Sequence, residues 1–261
     1  MESSQRLAKQ LVIAFVFFLI LGGICFGIYR GFIYSPTPTP TPNPTINLAP
    51  IQIVYTKLLN VQNSDYDFLA KINNPNSEYG SPNVEYEIVF YDSVGLFISS
   101  KTGSFYILPG QTKYFVETLL RLPGSASHAD FKIKSVDWQK LQSIAVTSTA
   151  LLVKNVSHLQ ISRPDLFTKA GGEVFNGSDL DLNRVDVAVV VLDKDGVPIA
   201  VNRTNIFTFL ADTTRGFEVS WFTPFVGQIS RVDAEANANV FENSNFLRTY
   251  GGQEKFKQLY Q

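Results

Sequence analysis

Three apolar patterns follow one another along this chain of 261 residues. From Leu11 to Tyr29 the sequence reads LVIAFVFFLILGGICFGIY, without a charge. As a helix rising about 1.5 Å per residue, this run spans a hydrocarbon layer of roughly 30 Å. From Ser35 to Thr45, SPTPTPTPNPT, proline alternates with polar residues. Each proline fixes φ and holds its predecessor extended, so the segment reads as a polyproline spacer of roughly 34 Å at about 3.1 Å per residue. Thr37, Thr39, Thr41 and Thr45 offer hydroxyls for O-glycosylation, which nothing in the sequence requires. Beyond the spacer apolar and polar residues alternate. Val84, Tyr86, Ile88 and Phe90 enclose Glu85 and Glu87, the period of a half-buried strand.

That strand recurs about a hundred residues later as Val185, Val187, Val189 and Val191. Its surroundings recur too. Asn74-Pro75 matches Asn176-Gly177, Asp92 and Gly95 match Asp193 and Gly196, and Leu108-Pro109-Gly110 matches Leu210-Ala211-Asp212. Phe115 matches Phe217, and Val136-Asp137 is paired with Val232-Asp233 at a shorter offset. A period this long means a duplicated domain. In the first unit strands are expected at 51–58, 84–90, 96–98, 105–107, 114–120 and 131–136. The second unit opens with its own extended stretch, Ala150 to Leu159. Asp92-Ser93-Val94-Gly95 and Pro109-Gly110 are turns. Strands at this spacing, with turn signals between them, predict an antiparallel sandwich.

Ile88-Val89-Phe90-Tyr91-Asp92 and Val189-Val190-Val191-Leu192-Asp193, each followed by a Gly turn, resemble the FxLYD family of small β-sandwich domains. The resemblance covers roughly residues 68–118 and 172–220. The second copy has Val for the first aromatic and Leu for Tyr. The resemblance implies immunoglobulin-like or fibronectin-like sandwiches of the kind found on bacterial envelope proteins, usually without known chemistry. The expected fold class is therefore all-β: two tandem antiparallel immunoglobulin/fibronectin-like β-sandwiches behind one N-terminal transmembrane α-helix.

The apolar run exceeds the 7–15 residues of a secretory signal core, and no small-x-small cleavage site follows it. A bulky Ile24 precedes Cys25, which fits a lipoprotein signal poorly. The run therefore reads as an uncleaved signal anchor. Arg6 and Lys9 precede it against Glu2, and Arg30 follows it, so the positive-inside rule places the N-terminus in the cytoplasm. Gly22, Gly23 and Gly27 read as ordinary glycines of a membrane helix rather than a helix-pairing face.

Charge excludes one class of function. The chain has 22 Lys plus Arg against 23 Asp plus Glu and no basic block, so the electrostatic footprint of nucleic-acid binding is missing. The single cysteine, Cys25, lies in the apolar run, which leaves the exported part without disulfides or thiolate chemistry.

Candidate chemistry is sparse. Ser127, His128 and Asp130 spell a triad, but neighbours in one loop seldom converge as a triad must, and His128 reads as a loop residue. His158 reads as a strand residue. Asp193-Lys194-Asp195-Gly196 begins like a calcium loop, yet position 12 is Thr204 where an EF-hand needs Glu. The equivalent Asp92 turn makes it a hairpin. No catalytic, cofactor or metal site is assigned. The sequons at Asn155, Asn176 and Asn202 are no more than composition predicts. Tyr79, Tyr86 and Tyr91 are taken as a surface cluster, with Tyr79 and Tyr91 as the candidate partner surface.

The expected organisation is a cytoplasmic segment 1–10, signal anchor 11–33, spacer 34–47, sandwich 48–148, sandwich 149–245 and tail 246–261. The tail either docks on the second sandwich or frays. The expected partners are membrane lipid, through residues 11–29, and an envelope protein. The expected role is a membrane-anchored structural or interaction protein of the cell envelope. The alternative is a receptor-like or adhesion module for a soluble ligand or cell-wall glycan, which calls for a concave pocket with aromatics and convergent polar groups.

Overall fold

The computed structural model describes residues 2–33, 47–141, 150–163 and 166–250. The Pro/Thr spacer and the tail beyond Tyr250 lie outside the described residues. The chain divides into two compact units, Met1–Asn47 and Leu48–Gln261. In the first, α1 (Glu2–Ile33) exposes its apolar side chains, Phe15, Phe18 and Leu19 among them, and its segment Arg6–Gly31 is long and apolar enough to cross a membrane.

The second unit is built of antiparallel sheets. Strands β1 (Gln52–Gln62), β2 (Asp65–Asn73) and β5 (Thr112–Arg121) form a sheet in the order β1-β2-β5. Strands β3 (Tyr79–Tyr91), β4 (Phe97–Ile107) and β6 (His128–Val136) form β4-β3-β6, with the two-residue β7 (Gln139–Lys140) at the start of β3. The pattern then repeats. β8 (Leu151–Arg163), β9 (Leu166–Asn176) and β12 (Thr214–Trp221) form β12-β9-β8. β10 (Leu182–Leu192), β11 (Pro198–Phe209) and β13 (Arg231–Asn237) form β11-β10-β13.

The alternation in β3 sends Val84, Tyr86, Ile88 and Phe90 inward, where they meet Phe68, Phe115 and Phe131. Ring centroids there lie 4.8–6.4 Å apart, the range of favourable edge and tilted contacts. The second core is more aliphatic: Val185, Val187, Val189 and Val191 face Val174, Phe217, Val219 and Trp221. Phe246, on α2 (Ser244–Tyr250), is fully buried in it, so this part of the tail docks.

Local chemistry fixes the repeat. Asn74 donates through Nδ2 to the carbonyls of Tyr79 and Leu108 at 2.7 and 2.9 Å. Asn176 does the same for Leu180 and Phe209. Asp92 Oδ1 accepts the N–H groups of Val94 and Leu96, and Asp193 Oδ1 those of Asp195 and Val197. Gly95 and Gly196 close these turns at φ 83° and 76°, a left-handed conformation that favours glycine.

Two expectations are corrected. The segments 96–98 and 105–107 belong to one strand, β4, because the polar stretch between them stays paired to β3 from Ser99 to Ser104. Val136 is not the counterpart of Val232. Val136 pairs with Val84 at the start of β3, whereas Val232 pairs with Val191 at the end of β10. The residue opposite Phe90 is Ala129, so the repeat keeps its spacing of about a hundred residues throughout.

A third apolar cluster joins the two sandwiches. Leu59, Leu69 and Val116, on the outer face of β1-β2-β5, pack with Ala188, Val190, Leu192 and Val201, on the outer face of β11-β10-β13. β10 is therefore covered on both faces.

Candidate functional site

Beside this seam lies a cleft of about 580 Å³, within the usual range for small-ligand sites. One wall is the edge of the first sandwich, with Phe105 and Tyr106 of β4 and Lys113 to Glu117 of β5. The other is β10 and β11 of the second, with Arg184, Asp186, Arg203 and Asn205, closed by residues after β13.

The alternation of β5 explains the charges. Phe115 points into the first core, so Lys113 and Glu117, two residues either side, point the same way at the open edge. Glu117 accepts the Tyr86 hydroxyl at 2.9 Å and pairs with Lys101 at 2.9 Å, with Arg203 farther off at 3.7 Å. Burial and the Glu117 charge hold the Tyr86 phenol above its usual range. Lys113 is 6 % exposed; its Nζ donates to the Tyr106 carbonyl at 2.6 Å and lies 3.7 Å from the Tyr106 ring centroid. Burial brings its pKa down to about 8, against the pull of Asp186 and Glu235.

Polar contacts bolt the two sandwiches together here. Glu235 Oε1 accepts the Tyr114 N–H at 3.2 Å and Asn237 Nδ2 at 2.6 Å, while burial raises the Glu235 carboxyl. Gln111 Nε2 donates to Asn237 Oδ1 at 2.6 Å. The Tyr106 hydroxyl donates to Asp186 at 3.4 Å, and Arg184 holds the other Asp186 oxygen at 2.7 Å.

The structure does not gather the three tyrosines. Tyr86 is buried, as its place among the inward residues of β3 requires, which corrects its assignment to the surface. Tyr79 and Tyr91 stand at opposite ends of the 13-residue β3, about 40 Å apart at a strand's rise of about 3.3 Å per residue. Both are half-buried. Tyr91 stacks on His128 at 5.0 Å, and Lys140 lies 5.8 Å from the Tyr79 ring. The Ser127 hydroxyl donates to the Asp92 carbonyl, so Ser127, His128 and Asp130 do not form a relay. Both oxygens of Asp195 face Lys194. Among the described residues no three His, Cys, Asp or Glu side chains converge to hold a metal.

Reading by sequence missed Lys113, Glu117, Asp186 and Arg203. One signal was there: Lys113 and Glu117 are charges on the apolar face of a strand, flanking Phe115.

No protein-family model matches the chain, and no curated protein matches it. Among solved structures it is similar to red sea bream transglutaminase, at 12 % identity and a TM-score of 0.22 over 74 % of this chain and 30 % of that one. A glycosyl hydrolase family 2 member from Bacteroides cellulosilyticus matches at 8 % identity and a TM-score of 0.23, over 66 % of this chain and 26 % of that one. The chain thus spans under a third of either protein, and likenesses this slight bear on neither its fold nor its activity.

Proposed function

We propose that this chain is a membrane-anchored interaction protein of the cell envelope, with a cytoplasmic N-terminus and extracytoplasmic sandwiches. The observation that carries this reading is the apolar seam. Leu69 and Val190 are fully buried in it, and residues 48–261 form one compact unit behind a helix fit to cross a membrane. Two sandwiches so joined present their surfaces in a fixed arrangement, which suits a structural or scaffolding part. The FxLYD-type resemblance of 88–92 and 189–193 agrees with it.

The test is topology together with contact in living cells. With Cys25 replaced by Ser, a cysteine at the exposed loop residue Ser125 is expected to react with a membrane-impermeant maleimide, and one at Ser4 only after lysis. A photo-crosslinker at Tyr91 or Tyr79 is expected to give a discrete adduct with an envelope protein. Labelling of Ser4 alone, or no discrete adduct from any exposed position, would count against the reading.

A second reading, a receptor-like module for a soluble ligand or glycan, is favoured by the cleft, which has the aromatics and convergent polar groups such a module needs.

A further inference from the structure

The fold sorts the three Asn-x-Ser/Thr triplets that composition leaves alike. Asn176 is fully buried, and its amide ties the carbonyls of Leu180, Phe209 and Leu210. Its Oδ1 accepts the Ser178 hydroxyl at 2.6 Å. Asn202 is half-buried, and its amide donates to the Ser220 carbonyl at 2.9 Å, which ties β11 to β12. Both amides are committed to the fold, and a bulky substituent on either would break these bonds.

Asn155-Val156-Ser157 stands differently. It lies on β8, the outermost strand of β12-β9-β8, which contributes to neither the seam nor the cleft. The β8-β9 register slips between Lys154 and Ser157, so the triplet sits on a β-bulge. A bulge frees a residue from the ladder and re-aims its side chain. Asn155 takes φ 52° there, a left-handed conformation that asparagine tolerates better than most residues. It is exposed, and its amide donates to the Glu173 carboxylate, 2.7 Å away at the surface. That backbone accounts for an asparagine at 155 but not for a hydroxyl at 157. Ser157 is exposed, and its hydroxyl has no partner among the described residues.

We propose that Asn155 carries an N-linked glycan. Val156 meets the motif's one exclusion, which bars proline at that position. The donor is a glycan joined through phosphate to a membrane lipid, and a transferase of the same membrane catalyses the exchange. A bond forms from Asn155 Nδ2 to the anomeric carbon as that carbon's bond to the phosphate oxygen breaks. The amide gives up one proton, and the lipid phosphate leaves. The proposal rests on the extracytoplasmic placement of the sandwiches.

The experiment is peptide mass spectrometry of the full chain, purified from the membranes of the cells that make it. The peptide carrying Asn155 is expected to exceed its sequence mass by whole sugar residues, and those carrying Asn176 and Asn202 to be bare. Ser157→Ala, at an exposed position, is expected to abolish the added mass, and Ser157→Thr to keep it. The same cells, making the chain with Cys25→Ser and Ser125→Cys, are treated with the impermeant maleimide. A bare Asn155 with Ser125→Cys labelled from outside overturns the glycan and leaves the topology standing. A bare Asn155 with Ser125→Cys labelled only after lysis overturns both. Added mass on the Asn155 peptide that persists in Ser157→Ala also overturns the proposal.

Discussion

Individual side chains in this protein hold backbone together more than they offer chemistry. Asn176 belongs to a sequon, yet it is fully buried and its amide ties three carbonyls, those of Leu180, Phe209 and Leu210. Asn74 is its counterpart, which explains why both copies place Asn where the chain leaves β2 or β9. Asp67 works against the fold. It is 6 % exposed, accepts only the Leu119 N–H, and burial brings its pKa up to about 6. With the folded value above the unfolded one, the native state binds more protons between about pH 4 and 6. Stability from this group is full below about pH 4 and is lost as pH rises through about 6. Asp67→Asn keeps the acceptor and removes the charge. It is expected to stabilise the protein by roughly 1–2 kcal/mol at pH 7 and by nearly nothing at pH 4, read from urea unfolding at both values. Equal effects at the two pH values would refute the buried-charge account.

Strands show where sequence reading succeeds and where it stops. The alternation in β3 names its core residues correctly because one of its faces meets solvent: Glu85 is exposed and Glu87 pairs with Lys134. β10 carries the same inward valines, but Ala188, Val190 and Leu192 make its other face apolar as well. A near-continuous apolar run is what a strand covered on both sides requires, so the seam was legible in VDVAVVVL. It also accounts for Leu192 where the first copy has Tyr91. Leu192 is 4 % exposed in the seam, whereas Tyr91 reaches water. The cleft was not legible, because its residues come from β4, β5, β10 and β11, and no local period relates strands of different sandwiches. The equivalent pair supplies a test. Leu192→Lys buries an unpaired ammonium and is expected to cost about 3 kcal/mol or more, and Tyr91→Lys under about 1 kcal/mol. Similar losses at both positions in chemical denaturation would mean that the seam does not bury β10.

At the scale of the whole molecule the seam is one-directional. It joins the β1-β2-β5 face of the first copy to the β11-β10-β13 face of the second, which are not equivalent surfaces. Such a contact can repeat without end unless the outermost faces refuse it. Here Glu87 and Lys134 mark one outermost face, and Lys169 with Glu218, 2.6 Å apart on β9 and β12, mark the other. Asp92 and Asp193 close their hairpins by accepting backbone N–H groups, so EDTA is expected to leave the melting temperature unchanged; a fall of several degrees, reversed by calcium, would assign Asp193 and Asp195 to an ion. The central claim is that two sandwiches share one seam and stand or fall together. Trp138 packs on the first core and Trp221 in the second, so Trp138→Phe and Trp221→Phe leave one reporter for each sandwich. Guanidinium unfolding followed by the remaining tryptophan in each variant is expected to give coincident midpoints, and Leu192→Lys is expected to separate them. Separate midpoints without that substitution would show two independent domains and contradict the account.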